Sequence, residues 1–252
     1  MSSGVLMFAF YTTFRCCHKQ RKITLSYLLC CNIKIRNYLL ALAEKMEVPQ
    51  FGGPWFNVLL KGNSLAVNMT RAEVDATDPE AYRKTEMRLR QDMFRLVELL
   101  REEYAEFRNC EIVYSGMNAG IRETRRIKGV ETFRVEAMLE GNSVDCPVAH
   151  CAHPIDIHAA KGSGQKLVFL EKDSYISHGS LVAAGFENLI AAGRCVSVDW
   201  ESYASMRVQA TVMSIGEAAG LMASLHCETA EPVFSLPVDV LKEQFSDRKF
   251  VL

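Results

Sequence analysis

The chain has 252 residues, of which 49% are hydrophobic and 23% are charged. This composition is typical of a folded globular protein with a sizeable core, and it argues against a disordered or membrane-embedded chain. The formal net charge is −1, which gives no electrostatic basis for binding nucleic acid or an anionic membrane. Partners must therefore be inferred from individual sites.

The first 45 residues contain two apolar runs, at 5–14 and 23–31, with a basic segment between them. Neither run approaches the ~20 residues that a helix needs to span a bilayer. The basic charges follow the first apolar run, whereas a secretory signal peptide carries its charges before it. We predict a strand over residues 5–11, a helix over residues 34–44, and no membrane span.

Nine cysteines are present, and four of them form the adjacent pairs Cys16 with Cys17 and Cys30 with Cys31. Cysteine and the neighbouring His18 are ligands that zinc prefers, so a metal site is one interpretation. Adjacent cysteines do not have the two-residue gap of a zinc knuckle, however, and we predict buried or incidental thiols and no metal. The odd count without a secretion signal predicts a reducing compartment, the cytoplasm.

The middle of the chain shows clear local patterns. Asp78 before a proline is a typical helix start. Alternating apolar residues favour a strand at 65–69, and the Gly-Gly-Pro-Trp run favours a loop over 51–62. The remaining predictions are a helix over 78–107, a strand over 111–115, a helix over 133–140, a hairpin of 165–170 with 175–178, and a helix over 238–245.

Residues 154–158 alternate like a strand, so Asp156 and His158 should share one face. A histidine beside a carboxylate is a reasonable pair for proton transfer. A purely structural role for the pair is the alternative.

The stretch 189–225 organises the chain. Residues 189–192 form an apolar run that ends on Gly193, which predicts a buried strand and a tight turn. Apolar residues at helical spacing then predict a helix over 207–225. Gly216 and Gly220 inside that helix each cost roughly 1 kcal/mol against alanine, which indicates a close approach to the backbone. A cofactor cradle at the helix start and ordinary close packing through small residues are both compatible with this pattern.

Three short motifs in this stretch resemble those of a known family. Residues 191–197 (Ala-Ala-Gly-Arg-Cys-Val-Ser), 205–209 (Ser-Met-Arg-Val-Gln) and 216–220 (Gly-Glu-Ala-Ala-Gly) are similar to the A-G-R-C-I-S, S-x-R-V and G-[QE]-A-A-G segments of the FAD-dependent oxidoreductases. These segments form the C-terminal flavin-binding part of that family. The resemblance implies FAD as cofactor, bound by Gly193, Arg194, Arg207, Val208, Gln209, Gly216, Ala219 and Gly220.

Further blocks follow the family in the expected order. Residues 120–127 resemble its G-x-R-E-[ST]-R-R signature, and similar matches occur at 53–55, 68–71, 75–79 and 154–158. Together the blocks extend from about residue 50 to residue 225.

The resemblance also implies an activity, in which hydride passes from a small organic substrate to flavin. It implies that His158, Arg122 and Arg125 are the catalytic residues, with His158 or an arginine assisting proton movement. Asn68, Thr70 and Arg71 would lie over the substrate pocket, whereas without the resemblance they would simply be the polar end of a strand.

The sequence contains no G-x-G-x-x-G run of the kind that binds the pyrophosphate of a dinucleotide. The expectation is therefore that the chain corresponds to the middle and C-terminal portion of the family. Three alternatives follow: the chain is a truncated gene product, a separate N-terminal half supplies the missing FAD-binding part, or the protein no longer holds FAD and is a non-catalytic remnant that acts as an interaction module.

We predict an α+β chain. Residues 1–188 would form a substrate domain with an antiparallel sheet and flanking helices, including a divergent segment at 1–45. Residues 189–252 would supply the closing strand and helix of a two-dinucleotide-type FAD-binding domain.

Overall fold

The computed structural model describes residues 11–16, 25–58, 64–158 and 165–247. Helices and antiparallel strands are mixed along these ranges, which confirms the α+β class. The helices are α1 (Leu25–Ala43), α2 (Pro79–Glu103), α3 (Val135–Glu140), α4 (Trp200–Met206), α5 (Gln209–Thr229) and α6 (Val238–Asp247). The strands are β1 (Tyr11–Cys16), β2 (Phe51–Val58), β3 (Ser64–Thr70), β4 (Cys110–Ser115), β5 (Pro147–His150), β6 (Ile155–His158), β7 (Gln165–Val168) and β8 (Tyr175–Ser177).

The described residues fall into two compact units. The first contains the chain up to residue 124, and the second contains residues 125–158 and the chain from 165 onwards. The sequence-based boundary between residues 188 and 189 lies inside the second unit and stays a prediction.

The first unit is built on a four-stranded antiparallel sheet with the order β2-β3-β1-β4. Strand β3 alternates as predicted, with Leu65, Val67 and Met69 buried. These side chains share one core with Ile35 and Leu39 of α1 and with apolar residues of α2. The predicted antiparallel sheet with flanking helices is therefore present in this unit.

Helix α2 begins where the sequence predicts. The Asp78 carboxylate accepts hydrogen bonds from the backbone N–H groups of Glu80 at 2.9 Å and Ala81 at 3.3 Å, and Pro79 occupies the first turn. Helix α1 is longer than the predicted 34–44, because it begins at Leu25. The predicted strand at 5–11 lies outside the described residues except for Tyr11, the first residue of β1.

The predicted loop over residues 51–62 is wrong in its first part, because residues 51–58 form β2. Phe51 pairs with Thr70 and Trp55 pairs with Asn68, so the register shifts between these two pairs. The Gly-Gly-Pro run forms a bulge at this register shift. Its extra residues are not paired with β3, and the strand continues after them.

The second unit has its own core, formed by β5, β6, α4, α5 and the segments between them. Its two small sheets pair β5 with β8 and β6 with β7. The predicted hairpin of 165–170 with 175–178 is therefore wrong, because each of these strands pairs with an earlier strand. Local apolar alternation gave the strands correctly but carried no information on their partners.

The predicted strand at 189–192 is also wrong. Ile190 forms a single antiparallel bridge with Val182, flanked by one backbone hydrogen bond on each side, and no longer ladder follows. Leu189 is 43% exposed, so the run is not uniformly buried. The turn at Gly193 ends the pairing after one bridge, as its positive φ of 80° requires.

One carboxylate holds two helix starts in the second unit. Asp199 Oδ1 accepts the backbone N–H of Ser202 at 2.8 Å in α4, and Asp199 Oδ2 accepts the N–H of Val135 at 2.7 Å in α3. The Asp199 carbonyl also accepts a hydrogen bond from Arg126 Nη1 at 3.0 Å. These bonds fix the segment that leads from the Gly193 turn to α4.

No helix within the described ranges combines the length and the apolar character needed to cross a bilayer.

We predict that Asp199→Ala lowers the free energy of unfolding by about 2 kcal/mol, because two helix-start N–H groups lose their acceptor together. Chemical denaturation followed by circular dichroism measures this loss. Asp199→Asn keeps one acceptor oxygen and should lose about half as much. Equal losses in the two variants would contradict the double cap.

Candidate functional site

The Gly193 turn lies beside the long helix of the second unit. Residues Gly193–Cys195 form one 3₁₀ turn, and this turn packs against α5. Gly193 has a φ of 80°, and a Cβ added there would meet no described atom within 4 Å. The turn therefore presents bare backbone on an open side. The neighbouring Arg194 and Cys195 are partly or fully exposed.

The start of α5 has no side-chain cap within the described residues. Arg207 ends α4, and Val208 is the N-cap residue of α5 with no side-chain cap bond in the described structure. The first intrahelical bond runs from the N–H of Val212 to the carbonyl of Val208 at 3.1 Å. The preceding N–H groups, beginning with that of Gln209, therefore point out of the helix start, where the helix dipole is positive.

The Arg207 guanidinium connects this helix start to β6. Its Nη2 donates to the carbonyl of Asp156 at 2.9 Å and lies 3.7 Å from Asp156 Oδ2. Both side chains are largely buried. The pairing spans 51 residues, and the sequence contained no local signal for it.

The exposed face of α5 contains two glycines. Gly216 and Gly220 are exposed, and a Cβ at either position would meet no described atom within 4 Å. Ala219 is half-buried at the edge of this face. The opposite face is buried through Ile215, Ala218 and Met222 of the core. The two glycines therefore keep open space free and do not serve close packing within the described chain.

The predicted proton-transfer pair is only partly defined. His158 is the last residue of β6, and its side chain lies outside the described part of the structure. Asp156 pairs with Arg207, a contact that the sequence did not predict. The role of His158 stays a prediction.

The arginine-rich block 122–126 is divided between the two units. Arg122 is a half-buried residue of the first unit, and Arg125 is an exposed residue of the second. Arg126 lies over the Tyr203 ring, with its Cζ 5.5 Å from the ring centroid. Arg126 therefore supports the segment around α4 through a cation–π contact and its bond to Asp199.

A second polar cluster went unnoticed in the sequence. Ser177 Oγ donates to the Glu131 carboxylate, and His178 stands next to it at the end of β8. Burial lowers the pKa of His178, while the negative charges of Glu131 and Asp145 oppose that shift. Glu131 and Ser177 are 46 residues apart, so only the fold reveals this cluster.

The cysteines with described side chains are free thiols. Burial raises the pKa of Cys146 to about 11 and that of Cys151 to about 12, which makes both thiols unreactive at neutral pH. Within the described ranges, no three His, Cys, Asp or Glu side chains form a group that could hold a metal ion. The paired cysteines Cys16, Cys17, Cys30 and Cys31 have side chains outside these ranges.

A bare glycine turn beside a helix with an uncapped start defines a class of site that binds an electron-rich cofactor at backbone N–H groups. The sequence model of the FAD dependent oxidoreductase family matches residues 12–245. The chain belongs to this family, whose members bind FAD, and the protein is a flavin oxidoreductase in that general sense. No curated protein and no solved structure matches the chain significantly.

The residues present fit a flavin. Each of Gly193, Gly216 and Gly220 borders open space, and any other residue at these positions would place its side chain there. The uncapped start of α5 provides donors for the carbonyl oxygens and ring nitrogen of the pyrimidine edge.

We predict that Arg207→Met lowers the free energy of unfolding by about 2 kcal/mol, because the Asp156 carbonyl loses a charged donor and the largely buried Asp156 carboxylate loses its ion-pair partner. The double variant Asp156→Asn with Arg207→Met should lose less than the sum of the single variants. Urea denaturation of the four proteins in a double-mutant cycle measures the coupling, which we expect to exceed about 1 kcal/mol. Additive losses would show that the pair has no mutual interaction.

Proposed function

We propose that this protein transfers hydride from a carbon atom of a small organic substrate to FAD. The observation that carries the proposal is the Gly193–Cys195 turn packed against α5, whose first turn is uncapped, in a chain of the FAD dependent oxidoreductase family. Bound FAD would supply the redox chemistry itself. The protein's own residues bind and orient the ring.

In this proposal the flavin ring is held at two places. The backbone of Gly193 and Arg194 approaches it from the turn. Val208 and Gln209, with Arg207 behind them, present N–H groups and the positive helix end to its pyrimidine edge. The support for this arrangement is that Gly193 has open space in front of it and that Arg207 is fixed by Asp156.

The bare patch of α5 forms the third part of the proposed cradle. Gly216, Ala219 and Gly220 leave room along the helix for the cofactor or for the polypeptide that covers it. Their exposure supports this role. A glycine inside a helix costs about 1 kcal/mol relative to alanine, and no close packing within the described chain accounts for the two glycines.

The proposed catalytic residues are His158, Arg122 and Arg125. His158 moves a proton at the substrate, since a neutral imidazole accepts one near physiological pH. The guanidinium groups orient anionic groups through two-pronged hydrogen bonds. The exposure of Arg125 supports its part in this proposal.

The pyrophosphate end of FAD requires a further component in this proposal. A separate N-terminal half with a G-x-G-x-x-G turn would bind it, because the 252-residue sequence contains no such run. Together the two parts would form an oxidoreductase of the reducing cytoplasm, with residues 189–252 contributing the C-terminal part of the FAD domain.

A non-catalytic interaction module is the second candidate, and the same missing run favours it. A neighbouring reading frame that encodes a strand, a G-x-G-x-x-G turn and a helix would support the enzyme. A genome without such a frame would support the module.

We predict that Gly220→Leu weakens FAD binding by at least about tenfold, equivalent to about 1.4 kcal/mol, because its side chain fills the proposed cradle. The fold should persist, since an added Cβ meets no described atom within 4 Å. Titration of FAD with each protein measures the affinity, followed by the change in the visible absorption band of the flavin.

Cys227→Leu is the matched control, since Cys227 is exposed on the same helix about 10 Å further along. Its FAD affinity should remain within about twofold of the wild type. Equal FAD affinity in Gly220→Leu and the wild type would contradict the cradle.

A further inference from the structure

The junction between α4 and α5 is tied to the segment that runs from β5 to β6. Three side chains of the junction donate to backbone carbonyls of that segment: Ser205 Oγ to His153 at 2.5 Å, Arg207 Nη2 to Asp156 at 2.9 Å, and Thr211 Oγ1 to His150 at 3.1 Å. Ser205 and Thr211 are buried, so water competes little for these bonds. Main-chain acceptors of the β5–β6 segment therefore fix the position of the start of α5.

Arg207 differs from the other two donors because it carries a charge. Its guanidinium donates to the Asp156 carbonyl and also lies 3.7 Å from the carboxylate oxygen Oδ2 of the same residue. The two side chains are 15% and 19% exposed, so dissolved salt screens this pair much less than a pair on the surface. The two acceptor groups of Asp156 thus have separate effects. The carbonyl positions the guanidinium, and the carboxylate offsets its charge.

This charge pair lies at the start of a long helix. Arg207 directly precedes Val208, the N-cap residue of α5. The aligned peptide dipoles of a helix place roughly half a positive elementary charge at such an end. The Arg207 charge adds to this value, and the Asp156 carboxylate reduces the sum. The carboxylate of Asp156 therefore determines how positive the start of α5 is.

Building on the proposed function, in which the pyrimidine edge of the flavin binds at this helix start, we propose that the Asp156 carboxylate tunes the reduction potential of the bound flavin. The reduced ring carries more negative charge than the oxidised ring, so positive charge beside it favours the reduced form. Arg207 and the helix dipole act in this direction, and Asp156 opposes them. The potential is then lower than Arg207 alone would set it.

The variant Asp156→Asn removes the carboxylate charge and keeps the carbonyl. Arg207 retains its bond at 2.9 Å, because the acceptor belongs to the backbone. The ratio of the affinities for reduced and oxidised FAD should rise about tenfold, which corresponds to about 30 mV in a two-electron reduction potential. Arg207→Met removes the opposite charge, and the same ratio should fall about tenfold. Titration of the FAD-loaded full chain against a redox dye of known potential measures both changes.

Glu228→Gln is the matched control. Glu228 is an exposed carboxylate near the end of the same helix, where it accepts a hydrogen bond from Ser224 at 3.2 Å. At a rise of 1.5 Å per residue it lies roughly 28 Å from the start of α5. This distance exceeds the screening length of about 10 Å, so the control should leave the affinity ratio unchanged.

Opposite shifts in Asp156→Asn and Arg207→Met separate an effect of charge from an effect on folding. A purely structural role for the pair would weaken the binding of both forms of FAD equally and leave the potential unchanged. Equal potentials in the wild type and Asp156→Asn, or shifts of the two variants in the same direction, would therefore overturn the tuning role. These results would leave the proposed flavin site standing. The absence of FAD binding in the wild type would contradict the proposed function and the tuning role together.

Discussion

The Asp199 carboxylate is the constraint on which the second unit most depends. Its two oxygen atoms accept N–H groups from the starts of α3 and α4, and the α3 donor, Val135, is 64 residues from Asp199 in sequence. Ser197 lies on the same segment as Asp199; its backbone N–H donates to the Ser180 carbonyl, and its carbonyl accepts the N–H of Phe133. The chain from Cys195 to α4 is therefore held on both sides. The Gly193 turn and the start of α5 flank this fixed segment. The geometry of the turn and of the helix start therefore depends on the backbone N–H groups that the Asp199 carboxylate accepts.

The site combines rigid support with open backbone. Arg207 is anchored by Asp156 immediately before α5, while the first N–H groups of that helix remain without a side-chain cap in the described structure. Gly193, Gly216 and Gly220 leave space that a side chain would occupy. Helix starts favour electron-rich ligands because the dipole and the free N–H groups act together. The family match shows that the cofactor is FAD, and we propose that its flavin ring binds at this backbone surface.

Local signals in the sequence identified local structure. The Asp78 cap, the alternation in β3 and the apolar face of α5 were all readable, and the structure confirms them. Pairing was not readable, because strand partners and the Asp156–Arg207 contact join residues far apart in sequence. The Gly-Gly-Pro run was taken as a loop, since sequence alone does not distinguish a turn from a bulge inside a strand.

A binding experiment with FAD, FMN and ADP tests the central claim most directly. The proposed cradle would contact the ring end of the cofactor, so FAD and FMN should shift the flavin absorption band in the same way when the chain is added. Excess ADP should leave that shift unchanged, because the proposed contacts do not include the adenine end. If neither flavin shows a shift, or if ADP displaces both, the turn at Gly193 and the start of α5 do not form a flavin site.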